Sequence, residues 1–157
     1  MPSTSLIRTL RSAGQARAGR WSLIAEATLL LLAARLALIF VPFPKLAPRL
    51  GAFVPPNDPR VAAAAASTTP DAAALAREIS WAVTRGAAHA PFKAVCLPQA
   101  MAAQVMLRRR GVACAMHFGA AKGQEKPLDA HAWLDAAGVK VTGYPVANNF
   151  TEIACFV

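Results

Sequence analysis

The sequence is poor in cysteine. Its three cysteines, Cys96, Cys114 and Cys155, are odd in number and widely spaced, and no CxxC pair is present. Neither a disulfide framework nor a structural zinc site is therefore indicated. Free thiols persist in a reducing compartment, and a thiol that loses its proton easily can react there. The cysteine usage therefore predicts a cytoplasmic location.

Acidic and aromatic residues are also scarce. Eight acids stand against 17 lysines and arginines, which gives a net charge of +9. This surplus favours acidic partners of any kind, including peptides and anionic membranes. Aromatic residues make up only 7% of the chain, they do not alternate with the basic residues, and no zinc-finger or helix-turn-helix pattern occurs. Nucleic-acid binding is therefore not expected.

The 157 residues suffice for one domain, and an apolar content of 55% supports a packed core. Residues 1–21 are polar and basic and predict a flexible or weakly helical arm. Residues 22–60 contain a dense apolar helix, residues 22–43, followed by a proline-rich loop. Residues 61–157 form the core region, in which the candidate functional residues lie.

The apolar helix admits three interpretations. A secretion signal would need a small-residue cleavage site, and the stretch is too long for one. A membrane anchor needs about 20 apolar residues, whereas the uninterrupted run from Ala27 to Ala34 is shorter and is followed by Arg35. We favour a helix that packs on its own domain or on a partner protein, with membrane association as the alternative.

One helix of the core region has a clear beginning. Thr69 offers a hydroxyl N-cap, Pro70 occupies the first helical position, and Asp71 adds an acid to the first turn. The helix should continue to about Gly86, with an apolar face that belongs to the core.

Cys96 lies at the start of a second predicted helix. This helix should span residues 97–110 and end at three arginines and Gly111. Free backbone N–H groups and the positive end of the helix dipole stabilise a thiolate at this position, which makes Cys96 a candidate nucleophile. A free cysteine is more often a small core residue, so the position is suggestive only.

His131 is the candidate base. The segment AHAWLDAAGVKVTGY predicts a β-hairpin that turns at residues 135–138, with a glycine for the left-handed position. His131 lies early in the first strand of this hairpin. An imidazole on a sheet downstream of a helix-capping cysteine is what a thiol protease needs. His89 and His117 have no matching nucleophile and are interpreted as surface or strand residues.

The segments PFKAVCLPQAMAAQVMLRRRGVACAMHFG and AHAWLDAAGVKVTGY, with the tail TEIACF, resemble the lasso-peptide biosynthesis B proteins, in the form of the stand-alone leader peptidase of split systems. The resemblance covers residues 22–157. It implies an α+β fold with a transglutaminase-like, papain-related core at residues 61–157. In such a fold, N-terminal helices precede a nucleophile-bearing helix packed on a short antiparallel sheet.

The resemblance also implies the reaction. Cys96, assisted by His131, would attack the carbonyl where leader and core peptide meet, and water would hydrolyse the thioester before a separate ATP-dependent cyclase forms the macrolactam. No cofactor and no metal is expected, and a role for ATP in cleavage is left open. The expected partners are the precursor peptide and a separate leader-recognition protein, with the cyclase as a further candidate. The apolar helix is a candidate docking element.

The third catalytic role is open. Some relatives carry an aspartate twelve residues after the histidine, where this chain has Gly143. Asn148 is favoured instead, as an amide of the kind that papain-like enzymes use. The alternatives are Asp129 and Asp135 on the histidine's own strand, a backbone carbonyl, a water molecule or no partner.

Two rival functions stay in view. A transglutaminase-like acyltransferase would use the same thiol and imidazole but would pass the acyl group to an amine. A non-catalytic, membrane-associated binding module would hold Cys96 as a mere core residue, unreactive towards thiol reagents below pH 7.

Overall fold

The computed structural model of the protein describes residues 4–66, 68–123 and 127–157, with side chains from residue 19 onward. The elements follow one another as α1 (Thr4–Phe40), α2 (Phe43–Leu50), β1 (Phe53–Val54), α3 (Pro59–Ala65), α4 (Pro70–His89), α5 (Cys96–Arg109), β2 (Ala115–Lys122), β3 (Leu128–Ala136), β4 (Val139–Thr142) and β5 (Thr151–Phe156). This is a mixed helical and antiparallel-sheet fold, as the sequence predicts.

The five strands form one sheet in the order β1-β5-β2-β3-β4, and each neighbouring pair is antiparallel. The β3–β4 hairpin turns at Ala137 and Gly138, which have φ values of 50° and 73°. Turns with positive φ at both central residues match the natural twist of a hairpin. The predicted turn at residues 135–138 is confirmed.

Helices cover both faces of the sheet. On one face, which we call the helix face, α5 packs on β3 and β4, α4 packs on β4, and α1 lies against both helices. Leu134 and Phe156 of the sheet belong to this core. On the other face, which we call the α3 face, α3 contacts β2 and β3. Val61 and Cys155 are buried there together.

Small and apolar residues make α5 the centre of the helix face. Ala100, Ala103 and Met106 have no exposed surface, so the helix lies close against its neighbours. At its end, Gly111 has a φ of 73°, and the N–H of Val112 donates to the carbonyl of Leu107 at 3.0 Å. Gly111 thus ends the helix as the sequence predicts. The last helical residue is Arg109, one residue before the predicted end at residue 110.

Helix α4 begins as predicted and ends later. The hydroxyl of Thr69 accepts the N–H of Ala72 at 3.1 Å, and the helix continues past Gly86 to His89. Gly86 instead allows close contact with α1, because a Cβ there would lie 3.0 Å from the Thr28 hydroxyl and 3.3 Å from Leu31. The glycine therefore serves helix packing and not helix termination.

The N-terminal half contains more regular structure than the sequence predicts. Helix α1 extends back to Thr4, into the predicted arm of residues 1–21, whose first three residues and side chains through residue 18 lie outside the described part. The predicted proline-rich loop contains α2, β1 and the start of α3. Asp58 caps α3 by accepting the N–H of Arg60 at 2.9 Å. Strand β1 pairs with β5 near the end of the chain.

The docking of α1 can be tested with a matched pair of leucines. Leu31 is fully buried against the core, whereas Leu29 on the same helix is 68% exposed. We expect Leu31→Ala to lower the free energy of unfolding by about 3 kcal/mol, because it leaves a cavity. Leu29→Ala should change it by less than about 0.5 kcal/mol. Urea unfolding followed by circular dichroism measures both, and equal effects would contradict the docking.

Candidate active site

Cys96 is the first residue of α5, as the sequence predicts within one residue. Its N-cap, Val95, has an extended backbone and makes no side-chain capping bond. The side chain of Val95 therefore does not bind the N–H groups of the first turn, and these groups can bind a negatively charged atom at the helix N-terminus. The Cys96 thiol is partly exposed, whereas Cys114 and Cys155 are buried. A negative charge that forms on or beside Cys96 would be stabilised by these N–H groups and the helix dipole.

Gln99 fixes the backbone around Cys96. Its side chain folds back over the helix start, and Nε2 donates to the carbonyl of Ala94 at 2.7 Å. This bond joins the first turn of α5 to the segment that leads into it. The side chain therefore fixes the backbone on either side of Cys96.

His131 is half-buried on β3 and held by three contacts. Its Nε2 lies 2.6 Å from the carbonyl oxygen of Gly143. Its ring stacks on Trp133 at 5.9 Å and meets Phe150 at 5.4 Å. Since a carbonyl can only accept, Nε2 carries the proton, and the lone pair of the neutral ring lies on Nδ1. Nδ1 is thus the atom that can take a proton from a thiol.

The carbonyl of Gly143 is the group that lies against Nε2 of His131. Gly143 has a φ of 82°, and a Cβ there would lie 2.4 Å from the carbonyl oxygen of Ala132 and 2.8 Å from Trp133. No side chain fits at this position without a backbone shift. Of the alternatives that the sequence leaves open, the backbone carbonyl is the one found beside His131.

The other candidates for the third role are Asn148, Asp129 and Asp135. Asn148 is exposed on the turn after β4, and no hydrogen bond of the described residues links it to His131. Asp129 is exposed, and Asp135 accepts the hydroxyl of Tyr144 at 2.6 Å. The assignment of Asn148 to catalysis stays a prediction.

Cys96 and His131 lie towards the same end of the domain. The C-terminal part of α5 is fixed at the opposite end, where Gln104 and Arg108 donate to the carbonyl of Leu50 at 2.9 and 2.8 Å. Leu50 precedes β1, which pairs with the last residues of β5. The N-terminus of α5 therefore points to the end of the sheet at which β3 begins and His131 lies.

The two groups are not hydrogen-bonded to each other within the described residues. Side chains alternate along β3: Leu134 lies in the core under α5, while His131 shares the opposite side of the strand with its stacking partner Trp133. The thiol and the imidazole can therefore meet only around the end of the sheet. Their pairing in catalysis stays a prediction.

A second cluster lies on the α3 face, around His117, which the sequence analysis interprets as a surface or strand residue without a catalytic role. His117 is buried between two carboxylates, with Nδ1 2.5 Å from Glu152 Oε1 and Nε2 3.3 Å from Asp135 Oδ2. Its ring stacks parallel on Trp133, with the ring centres 5.4 Å apart. Trp133 is therefore held between His117 and His131. The members of this cluster come from three strands, β2, β3 and β5, so no local motif reveals it.

The pKa shifts in this cluster indicate a structural role and not a catalytic one. Burial alone lowers the pKa of His117, but hydrogen bonds and charges from Asp135 and Glu152 outweigh this effect and raise the pKa above its ordinary value. Burial and the Glu152 carboxylate raise the pKa of Cys155, whose thiol lies 2.8 Å from that carboxylate. The thiol therefore stays protonated and unreactive.

The same cluster offers a metal ion one nitrogen, one oxygen and one sulfur atom, from His117, Glu152 and Cys155, within 4.8 Å of one another. These atoms are already paired by hydrogen bonds. A metal ligand would need a deprotonated thiol, which the raised pKa of Cys155 opposes. We interpret the group as a hydrogen-bonded support for Trp133.

The close fit around Gly143 can be tested against a matched glycine. Gly111 also has positive φ, but a Cβ there would meet nothing within 4 Å. Gly111→Ala should therefore cost about 1 kcal/mol for its backbone conformation alone. We expect Gly143→Ala to cost about 3 kcal/mol, because a steric clash is added. Chemical denaturation of both variants measures the difference, and equal costs would contradict the fit.

The raised pKa of His117 predicts a pH dependence of stability. A raised pKa in the folded state gives a stabilising contribution that is complete below the unfolded pKa, about 6.5, and is lost as pH rises through the folded pKa. The difference in unfolding free energy between wild type and His117→Ala should thus be largest near about pH 5.5 and shrink towards about pH 9. Urea unfolding across this range measures it. The exposed His89 provides the control, and a difference that grows with pH would contradict the assignment.

Comparison with known proteins agrees with this architecture. A family profile described as the transglutaminase-like superfamily matches residues 37–155, about three quarters of the chain. The matched range includes both Cys96 and His131. No curated protein and no solved structure matches the chain. Members of the superfamily are generally cysteine proteases or transferases, in keeping with a thiol at a helix N-terminus and an imidazole on the adjoining sheet. The chain belongs to the transglutaminase-like superfamily.

Proposed function

We propose that the protein is a cysteine peptidase that removes the leader from a lasso-peptide precursor, with Cys96 as nucleophile and His131 as base. The observation that carries the proposal is the partly exposed Cys96 thiol at the N-terminus of α5. Cys114 and Cys155 are buried, and burial raises the pKa of both thiols. Superfamily membership and the resemblance to leader peptidases support the same reaction.

The chemistry proceeds in two steps. Nδ1 of His131 accepts the thiol proton while Cys96 Sγ attacks the carbonyl carbon at the junction of leader and core peptide. The tetrahedral intermediate collapses to a thioester on the leader, and the departing amine of the core peptide takes the proton from His131. Water then gives a proton to Nδ1 and its oxygen attacks the thioester carbonyl. Collapse of this second intermediate breaks the C–S bond and releases the leader acid, and Nδ1 returns the proton to the Cys96 sulfur.

The surrounding backbone assists both steps. The carbonyl of Gly143 holds Nε2–H at 2.6 Å, which fixes the tautomer and stabilises the imidazolium that forms. The N–H of Cys96 and the positive end of the α5 dipole are placed to stabilise the oxyanion. The chain therefore needs no side-chain carboxylate beside His131, and a dyad supported by a carbonyl suffices.

Catalysis requires the thiol and the imidazole to approach each other. Hydrogen bonds between catalytic groups are often absent before substrate binds and form in the complex. Helix α5 and strand β3 are locked by the core, whereas residues 90–95, which lead into Cys96, have no regular secondary structure. We infer that substrate binding shifts this segment, together with Cys96, around the end of the sheet towards Nδ1 of His131, while Nε2 stays on the Gly143 carbonyl.

The proposal includes partners. The resemblance to split systems assigns recognition of the leader to a separate protein, and a cyclase would use the released core peptide. A net charge of +9 favours association with an acidic leader or an acidic recognition protein. No cofactor takes part in the proposed steps.

The direct test is a cleavage assay. The protein is incubated with the precursor and its leader-recognition protein, and the products are identified by mass spectrometry. Cys96→Ala and His131→Ala should each lower the cleavage rate by about 1,000-fold or more, while the exposed His89→Ala should leave it unchanged. Cleavage by Cys96→Ala at the wild-type rate would overturn the proposal. Transfer of the leader to an added amine would identify an acyltransferase instead.

The same assay separates the two candidates for the third role. If the Gly143 carbonyl orients His131, Asn148→Ala should retain cleavage within about threefold of wild type. A loss of about 100-fold or more would return the role to the Asn148 amide.

A further inference from the structure

Helix α1 has two apolar faces, and only one of them is covered by protein. Ala27, Leu31 and Ala34 are buried against α4 and α5. The opposite side carries large apolar residues that are exposed, which we call the outer stripe: Trp21, Leu29, Leu32, Leu36, Ile39 and Phe40. They recur at helical spacing and form one continuous surface.

An uncovered surface of this kind marks an interaction site. The stretch Gly19–Phe40 is long and apolar enough to cross a membrane, yet only 17% of its most apolar part is buried. A helix that is apolar all round belongs in apolar surroundings on every side. Sequence patterns favoured packing on protein, and the structure provides such packing for one side only.

We propose that the outer stripe binds the surface of an anionic membrane, with α1 lying along that surface. The helix cannot cross the bilayer while it is docked, because Glu26 is bound to Arg110 at 2.6 Å and lies 3.7 Å from Arg109. Thr28 and Leu31 are also packed against Gly86 of α4. An interfacial helix keeps all of these contacts and buries the outer stripe among the lipid chains.

The charges favour anionic lipid over a second copy of the chain. Glu26 is the single acid among residues 1–57, and it is already paired with Arg110. Arginines precede the stripe at positions 8, 11, 17 and 20, and Lys45 and Arg49 follow it. Both ends are therefore basic, so two copies would bring like charges together in either orientation. Anionic headgroups complement both ends.

Residues at the borders of the stripe also suit a lipid interface. Trp21 lies at one end of the stripe, and Phe40 and Phe43 lie at the other, where aromatic residues are common in membrane-associated helices. Arg35 is partly buried between the two faces, and its long side chain can reach a headgroup while its stem packs on apolar neighbours. This proposal does not depend on the proposed peptidase activity.

The test is co-sedimentation of the full-length protein with vesicles. Vesicles of phosphatidylcholine with phosphatidylglycerol should bind at least about tenfold more protein than pure phosphatidylcholine vesicles, and about 0.5 M salt should weaken the binding. Leu29→Glu with Leu36→Glu should reduce it at least about tenfold. Leu128→Glu with Ile153→Glu is the matched control, because it places the same charges at two exposed apolar residues of the sheet and should bind as wild type does.

Three results would overturn the proposal. The first is that the wild type fails to bind anionic vesicles, and the second is that the stripe variant binds them as well as the wild type does. The third is that light scattering shows a dimer for the wild type and a monomer for the stripe variant. Unchanged circular dichroism of the stripe variant excludes a folding defect as the cause of lost binding. Its rate of precursor cleavage in solution should equal that of wild type, so that failure of this proposal and failure of the peptidase proposal remain distinguishable.

Discussion

The packing of α5 on the sheet is the contact from which the candidate site follows. Alanines along the buried side of this helix let it lie close to β3 and β4. At its C-terminal end, Gln104 and Arg108 bind the same carbonyl, that of Leu50. The register of the helix against the sheet is thus fixed by polar contacts at one end and by close packing along its length. The Cys96 thiol is left at the free end, next to unpaired N–H groups.

The histidine is positioned by a different kind of interaction. A backbone carbonyl binds Nε2, and stacked rings hold the imidazole plane. Behind those rings, His117 lies between two carboxylates, which raise its pKa, and Trp133 stacks on its ring. In the same cluster, Glu152 also accepts the Cys155 thiol and Asp135 accepts the Tyr144 hydroxyl. The protein thus orients its candidate base without a catalytic carboxylate.

The sequence predicts the parts of this arrangement that depend on local rules. Thr69 and Pro70 mark the start of α4, Gly111 marks the end of α5, and the hairpin turn follows from Gly138, because each acts on backbone conformation within a few residues. The position of Cys96 at a helix N-terminus is predictable as well, because the start and end of α5 depend on nearby residues. These positions required no knowledge of distant contacts.

Other features depend on partners that are distant in the chain. The two-residue strand β1 exists only because β5 pairs with it, and the cluster around His117 draws on residues from β2, β3 and β5. The role of the Gly143 carbonyl has no sequence pattern, since every residue carries the same backbone oxygen. Sequence also could not show that one apolar face of α1 would stay uncovered, because burial depends on how the helix docks.

The central claim is that the Cys96 sulfur attacks a peptide carbonyl with help from His131. A peptide chloromethyl ketone that ends in the last residues of the leader tests this most directly, with intact-protein mass spectrometry and peptide mapping as the measurement. The account predicts one covalent adduct, located on Cys96, that forms much more slowly in His131→Ala. An adduct on Cys114 or Cys155, or labelling of Cys96 at the same rate without the imidazole, would contradict it.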